Sequence, residues 1–418
     1  MKKISATICA VLVATVLITT SAIASISSKS IYEQDDELIH ALSSTSLVLF
    51  GKGDKYDILM NKMKEISSNV TSVTSATPDT LSKRVANSNS IVLADATWVK
   101  TQDTSEIVAS LKSALDKGAP LLCFGEMSDV VSRTGYSLDH VGGCDLIFQG
   151  IKVFEGGRTA AYSGAGNIED DDEVDKALIS AVSWASKWMS NEFPISKMNK
   201  TTSVLSDSQL STGAYWGWVH DWEYNSNDDL KPYGRTNIQN EYSFLQNDNT
   251  NQFDWYAIHF CQEARPGESA YDNGYSTMHM HTIIDADYGP HDSDELVRRG
   301  PTTTSGATTT SVNIGVTAGS EGAAITCGYG WSYTVSDVEV LENGDMSIER
   351  GDWKHEIANG CNVAKNTYNI YPGATIKVNQ GGSIQPYESY ANAFGHKVLW
   401  TWMVKSEKEI IHMPFILA

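Results

Sequence analysis

A change of hydrophobic period near Pro194 does more than any other feature to limit how this 418-residue chain can fold. From about residue 36 to 192, short apolar runs alternate with segments of helical spacing. Leu47-Val48-Leu49-Phe50 stops at Gly51 as a buried strand does, and residues 56–66 follow with helical spacing. Residues 91–94 read as the next strand, 105–115 as a helix with Ile107, Leu111 and Leu115 on one face, and 120–124 as a third strand ended by Gly125. This βαβ rhythm implies a parallel sheet flanked by helices. A helix over 171–189 closes the segment, and the acids of 169–173 suit the positive end of its dipole. Beyond Pro194 helical spacing disappears, and eight of the eleven Trp lie past residue 200. Segments 255–260 and 276–284 alternate with period two between turn clusters such as Arg265-Pro266-Gly267 and Glu342-Asn343-Gly344. The expected fold is α/β + all-β: an N-terminal Rossmann/flavodoxin-like parallel-sheet domain over 36–192, a linker at 193–203, and an antiparallel β-sandwich-like domain over 204–418.

Residues 1–24 read as a secretory signal peptide. Lys2 and Lys3 start it, an apolar stretch over 10–18 follows, and Ala22-Ile23-Ala24 is the small-residue cleavage site. The protein is therefore expected to be secreted and extracellular. No other stretch approaches the roughly 20 apolar residues of a membrane helix. The chain carries 31 Lys and Arg against 51 Asp and Glu, a formal charge of −20 with no basic block, which argues against nucleic acid as a partner. Cys123, Cys144, Cys261, Cys327 and Cys361 remain after the signal; exported thiols tend to pair, so disulfides are expected, with a pairing that spacing does not fix.

Candidate chemistry is sparse. Cys123-Phe124-Gly125 at a strand end resembles the Cys-x-Gly elbow of class I glutamine amidotransferases, but Leu121 stands where that elbow has glycine. His140 is the nearest candidate base, and a thiol needs one to be activated. His279 and His281, two apart, point to one face of a strand, and with His259 or His291 they would make a metal site. No carboxylate follows at a recognisable spacing. The expectation is no catalytic residue, no metal and no cofactor, with a Cys or metal hydrolase as the outlying alternative. Trp216, Trp218 and Trp222 concentrate aromatics that suit either stacking against sugar rings or anchoring among lipid headgroups, or a β core.

Residues 308–336 are the most informative segment. Val312, Ile314, Val316 and Ala318 alternate with small polar residues, Gly319-Ser320-Glu321-Gly322 forms a turn, and Ile325, Cys327, Tyr329, Trp331 and Tyr333 resume the alternation. Each arm matches the 9–11 residues of a tilted transmembrane strand. From 300 to 336 the only charge is Glu321, at the tip. An apolar face opposite a small polar face is what a lipid-facing barrel with a wet lumen demands, and several chains would have to contribute. The same pattern also serves a hairpin that covers a sandwich core.

Asp287-Tyr288-Gly289-Pro290, Glu295 and the uncharged hairpin ending in Tyr329-Gly330-Trp331-Ser332-Tyr333-Thr334 resemble the stem region of the leukocidin/hemolysin group of β-barrel pore-forming toxins. The resemblance implies a stem over 308–336 that unfolds from a β-sandwich, with Trp216, Trp218 and Trp222 as rim aromatics. The α/β half has no counterpart in that group's single-domain toxins. The leading expectation is a non-enzymatic oligomeric pore former whose partners are membrane lipid and a homo-oligomer. The alternative is an extracellular adhesin-type protein that binds surface glycan.

Overall fold

The computed structural model describes residues 45–66, 72–85, 90–102, 105–189, 214–248, 252–288, 294–318, 325–398 and 401–416. The expected signal peptide and the 193–203 linker lie outside these residues.

Fully apolar runs become buried parallel strands. Strand β1 (Ser46–Phe50) pairs on either side with β2 (Ser72–Ala76) and β3 (Ser90–Asp95), and β3 pairs with β4 (Leu121–Phe124). Six helices accompany them: α1 (Asp54–Ile66), α2 (Pro78–Arg84), α3 (Ala96–Gln102), α4 (Ser105–Asp116), α5 (Ser128–Ser132) and α6 (Asp171–Lys187). Leu59 and Met63 of α1 and Val174, Leu178 and Val182 of α6 fill one face of the sheet. Residues of α2 to α5, among them Leu81, Val99, Leu111 and Val131, fill the other. The acids ahead of α6 do what their position implied: the Asp170 carboxylate accepts from the amides of Asp172 and Glu173 at 2.9 and 3.2 Å.

Beyond β4 the sheet ceases to be parallel. Strand β5 (His140–Gly142) departs for a second sheet, while β6 (Leu146–Val153) runs antiparallel to β4 and to β7 (Thr159–Ala165). Trp184 of α6 sits over Gly150 so closely that a Cβ there would lie 2.8 Å from its ring. Strand β8 (Tyr215–Asn225) joins β7 in parallel, followed by β9 (Gly234–Gln246) and β10 (Phe253–Pro266) in antiparallel register. The remaining strands are β11 (Ser276–Asp285), β12 (Glu295–Gly300), β13 (Thr309–Asn313), β14 (Val316–Ala318), β15 (Ile325–Cys327), β16 (Gly330–Thr334), β17 (Val338–Glu342), β18 (Arg350–Ile357), β19 (Tyr368–Ile370), β20 (Gly373–Asn379), β21 (Tyr387–Val398) and β22 (Thr401–Met413). The large sheet runs β12-β20-β10-β9-β8-β7-β6-β4-β3-β1-β2, with β19 on β10. The parallel sheet anticipated for the first half is thus confined to β2-β1-β3-β4, and the whole is a mixed sheet. A second, antiparallel sheet, β17-β18-β11-β21-β22-β5, faces its β8–β10 region. Trp222, Tyr242, Phe260, Trp353 and Tyr390 are fully buried between the two.

Within that core lies a chain of buried polar groups. Oδ2 of Asp139, just ahead of β5, is 2.8 Å from Nε2 of His220 on β8 and 3.0 Å from Nε2 of His412 on β22. His412 Nδ1 is 2.7 Å from Glu388 on β21, which also accepts from Tyr242, Tyr390 and Asn240. The indole of Trp222 stacks on His412, centroid to centroid 3.6 Å. Burial alone would raise the Asp139 carboxyl, but the charge and hydrogen bonds of His220 and His412 hold it well below the usual carboxylate range. Burial would lower His412, yet Glu388 and Asp139 raise it above an ordinary imidazole.

Removing one partner of such a cluster leaves buried charge uncompensated, so Asp139→Asn is expected to cost about 3–5 kcal/mol in urea unfolding. A depressed carboxyl stabilises above its unfolded value and a raised imidazole below its own. The wild-type advantage over Asp139→Asn should therefore be largest between about pH 4 and 6.5. It should shrink as pH falls below that range or rises through the His412 titration.

Candidate membrane-inserting hairpin

The charge-free segment forms an antiparallel hairpin in two short ladders. Strand β13 pairs with β16, Val312 opposite Trp331, and β14 pairs with β15, Val316 opposite Cys327. Between them the Ile314 amide donates to Tyr329 O at 2.9 Å, and a Cβ on Gly315 would lie 2.6 Å from Cys327 O, so the two arms can approach only with glycine there. The turn at 319–324 lies outside the described residues, as do the side chains of Ala318 and Ile325, whose backbones pair with each other.

The alternation read from the sequence is realised against the protein itself. Val312, Ile314, Val316, Tyr329 and Tyr333 are buried and Trp331 is half-buried, whereas Thr309, Ser311, Asn313, Ser332 and Thr334 are exposed. The bed beneath comprises Trp216 on β8, Leu245 on β9, Ala257 on β10 and Tyr371 just before β20. Tyr329 meets Trp216 edge to face at 5.6 Å, and Trp331 meets His259 at 4.3 Å. Gly373 lies under Trp331, where any Cβ would strike the indole ring. Burying five such side chains is worth on the order of 10 kcal/mol.

Hydrogen bonds from the bed fasten the hairpin. The Trp331 indole donates to Tyr371 O at 2.8 Å, Thr375 Oγ1 to Ile314 O at 2.6 Å, and the Tyr368 hydroxyl to Thr334 O at 2.8 Å. Tyr333 OH lies 2.6 Å from His355 Nε2. Among the described residues the ladders of β13–β16 are internal to the hairpin, and its ties to both sheets run through side chains. It can therefore leave its bed without giving up its own strand pairing. The hidden partners of this site, Tyr371, Gly373, Thr375 and His355, carry no local sequence signal, because they reach the hairpin only through the tertiary fold.

Other candidates are placed elsewhere. Trp216, Trp218 and Trp222 form no exposed binding surface: Trp222 is fully buried, Trp218 packs with Trp188 and Phe154, and Trp216 lies in the hairpin bed. The strand alternation and a bulge between Trp218 and His220 turn these rings into the protein. Cys123 is buried among Leu111, Ile151 and Val153, and burial pushes its thiol well above the usual range; His140 sits on β5 in the other sheet. The expected disulfides are not seen among the described residues, where Cys123, Cys144, Cys261, Cys327 and Cys361 are free thiols. His279 and His281 are each matched to a single carboxylate, Glu407 and Asp352, both at 2.8 Å. His259 lies across the core on β10, and His291 falls outside the described residues. No described helix is long and apolar enough to cross a membrane, which says nothing of a β-barrel.

No protein-family model and no curated protein matches the chain. Among solved structures it is similar to the Clostridium perfringens delta-toxin, at 12% identity over 49% of this chain and 91% of that one, with a TM-score of 0.32. It is similar also to a structure described as a pore forming protein, at 7% identity over 49% and 92% of the two chains and a TM-score of 0.30. A third, BspA_C_mut, is 10% identical over 46% and 47%, with a TM-score of 0.22.

Gly373→Ala tests the docking. The added methyl overpacks the Trp331 contact, and the expected cost is about 1–3 kcal/mol, measured as a lower urea midpoint at unchanged slope.

Proposed function

We propose that the chain is a secreted, non-enzymatic pore former. Several copies associate at a membrane, each releases residues 308–336 from its bed, and the released hairpins close a β-barrel. The observation that carries this reading is the hairpin's construction. It pairs internally, it has no charged residue in either arm, and one face is apolar apart from Thr310 beside Tyr333 while the other is small and polar. The apolar face that now rests on Trp216, Leu245 and Tyr371 would rest on lipid. The Ser, Thr and Asn face would turn to a water-filled lumen. Arms of ten residues, 309–318 and 325–334, suit a bilayer crossed at a tilt. The likeness of the segment to the leukocidin/hemolysin stem accords with this reading. The adhesin and glycan alternative has no comparable support, since the tryptophans that would make its surface are buried.

The test is dye release from phosphatidylcholine–cholesterol vesicles by the mature chain, with detergent-resistant oligomers sought on gels. Leakage and oligomers are both expected, and their joint absence removes the reading. A tether adds specificity. A Cβ built on Gly300 lies 3.4 Å from Val312 Cα, so Gly300→Cys with Val312→Cys places a disulfide between hairpin and sheet. Leakage should fall at least tenfold in the oxidised double variant and return on reduction.

A further inference from the structure

Among the described residues two histidines, His355 and His412, are completely buried in the sandwich, and their surroundings answer a proton in opposite ways. His412 lies between two carboxylates, Asp139 and Glu388. Among the described residues His355 on β18 has no such hydrogen-bonded carboxylate. Its Nε2 meets the Tyr333 hydroxyl of β16, and its Nδ1 has no hydrogen-bond partner. Met280 on β11 and Val340 on β17 are its cross-strand neighbours.

Building on the pore-forming reading, we propose that the Tyr333–His355 contact is an acid-released latch: a proton taken up by His355 frees the hairpin from its bed while the Asp139 cluster keeps the two sheets together.

The geometry makes the imidazolium a poor occupant of this place. Both ring nitrogens would then donate; one would face the phenol oxygen and the other would have no acceptor. The positive charge would lie among Met280, Val340 and Ile357, at a cost only wetting the ring can relieve. The titratable groups nearby offer no compensation. Tyr333, Tyr368 and Tyr371 are neutral phenols, with Tyr333 packed on Tyr371 at 5.6 Å. His281 on β11 adds like charge if anything and is matched to Asp352. Lys354 and Glu356 alternate to the other face of β18, where they pair at 2.9 Å. Burial accordingly pushes His355 down to about 3, with His281 adding to the shift. A docked hairpin thus holds an imidazole that refuses protons below about pH 6.5, whereas the opened state accepts them. Each pH unit below that value favours the open hairpin about tenfold, until His355 titrates in place.

Hydrogen exchange of the full mature chain, corrected for intrinsic rates, reads the latch without reference to membranes. Protection of amides in 309–318 and 325–334 should fall about tenfold per pH unit between pH 6.5 and 4.5, with β8–β10 unchanged. In His355→Gln, neutral at every pH, the fall should disappear. No fall in the wild type, or the same fall in His355→Gln, overturns the latch. Tyr333→Phe, which keeps the ring and drops the hydroxyl, should lose protection in the hairpin roughly three- to tenfold at pH 7.5. Unchanged protection in that variant also overturns it. Vesicle leakage measured alongside separates the two readings. His355-dependent exchange without leakage upholds the latch and removes the pore; leakage with no His355 dependence in the exchange does the reverse.

Discussion

One carboxylate, that of Asp139, ties together parts of the chain that would otherwise have little reason to share a core. It follows the first five helices, α1 to α5, and it ends between His220 of the large sheet and His412 of the second. The strand it introduces, β5, pairs with the edge of β22, while the strands before and after it in sequence, β4 and β6, pair with each other in the large sheet. The chain therefore leaves one sheet, touches the other and returns. A buried ionic cluster of this kind seldom adds net stability over an apolar one of equal volume. What it does here is reject alternatives, because a shift of β5 by one residue would move Asp139 away from both imidazoles and leave Nε2 of His220 and Nε2 of His412 without their carboxylate.

That rigid junction contrasts with how the hairpin is held. Its ladders close on themselves, and its bed grips it through an indole N–H, two hydroxyls and a phenol–imidazole contact. An ordinary sheet strand shares backbone hydrogen bonds on both sides and detaches only with loss of several of them. Here the cost of detachment is set largely by the exposure of apolar side chains, and the hairpin's own share of that cost falls away where water is replaced by hydrocarbon. The docked and the inserted states proposed for 308–336 would use the same faces, the same alternation and the same internal pairing.

Much of this was legible from periodicity, and the limits follow from what periodicity can report. The buried runs at 47–50, 91–94 and 121–124 and the helices at 105–116 and 171–187 are local patterns, and each forms where its spacing placed it. The hairpin is local as well, since its two arms are joined by a short turn. The antiparallel return of β6 against β4 was not legible, because Leu146–Val153 is buried on both faces and such a run carries no sign of its direction. Nor was the fate of the tryptophans: a bulge after Trp218 decides which of them face each side, and a bulge has no signature in that sequence. Free thiols in place of disulfides have the same origin, as pairing depends on distances that only the assembled sheets set. The bed was invisible for a stronger reason. Tyr371, Gly373 and His355 become a site only when strands distant in sequence are laid side by side, β10 against β20 with His259 opposite Gly373, and β11 against β18 with Met280 opposite His355.

The distribution of charge gives the hairpin its meaning. An acidic chain of net charge −20 has carboxylates to spare for a solvated surface, and the exposed face of β13 and β16 would ordinarily carry some of them. It carries Thr309, Ser311, Asn313, Ser332 and Thr334 instead, with Ser311 and Ser332 hydrogen-bonded to each other at 2.9 Å. Water tolerates these groups as well as it tolerates charge, so solubility does not explain the choice. Passage through a bilayer does discriminate, because a neutral hydroxyl or amide crosses hydrocarbon at a far smaller cost than a carboxylate or an ammonium. The inserted state proposed for 308–336 would call for that economy of charge.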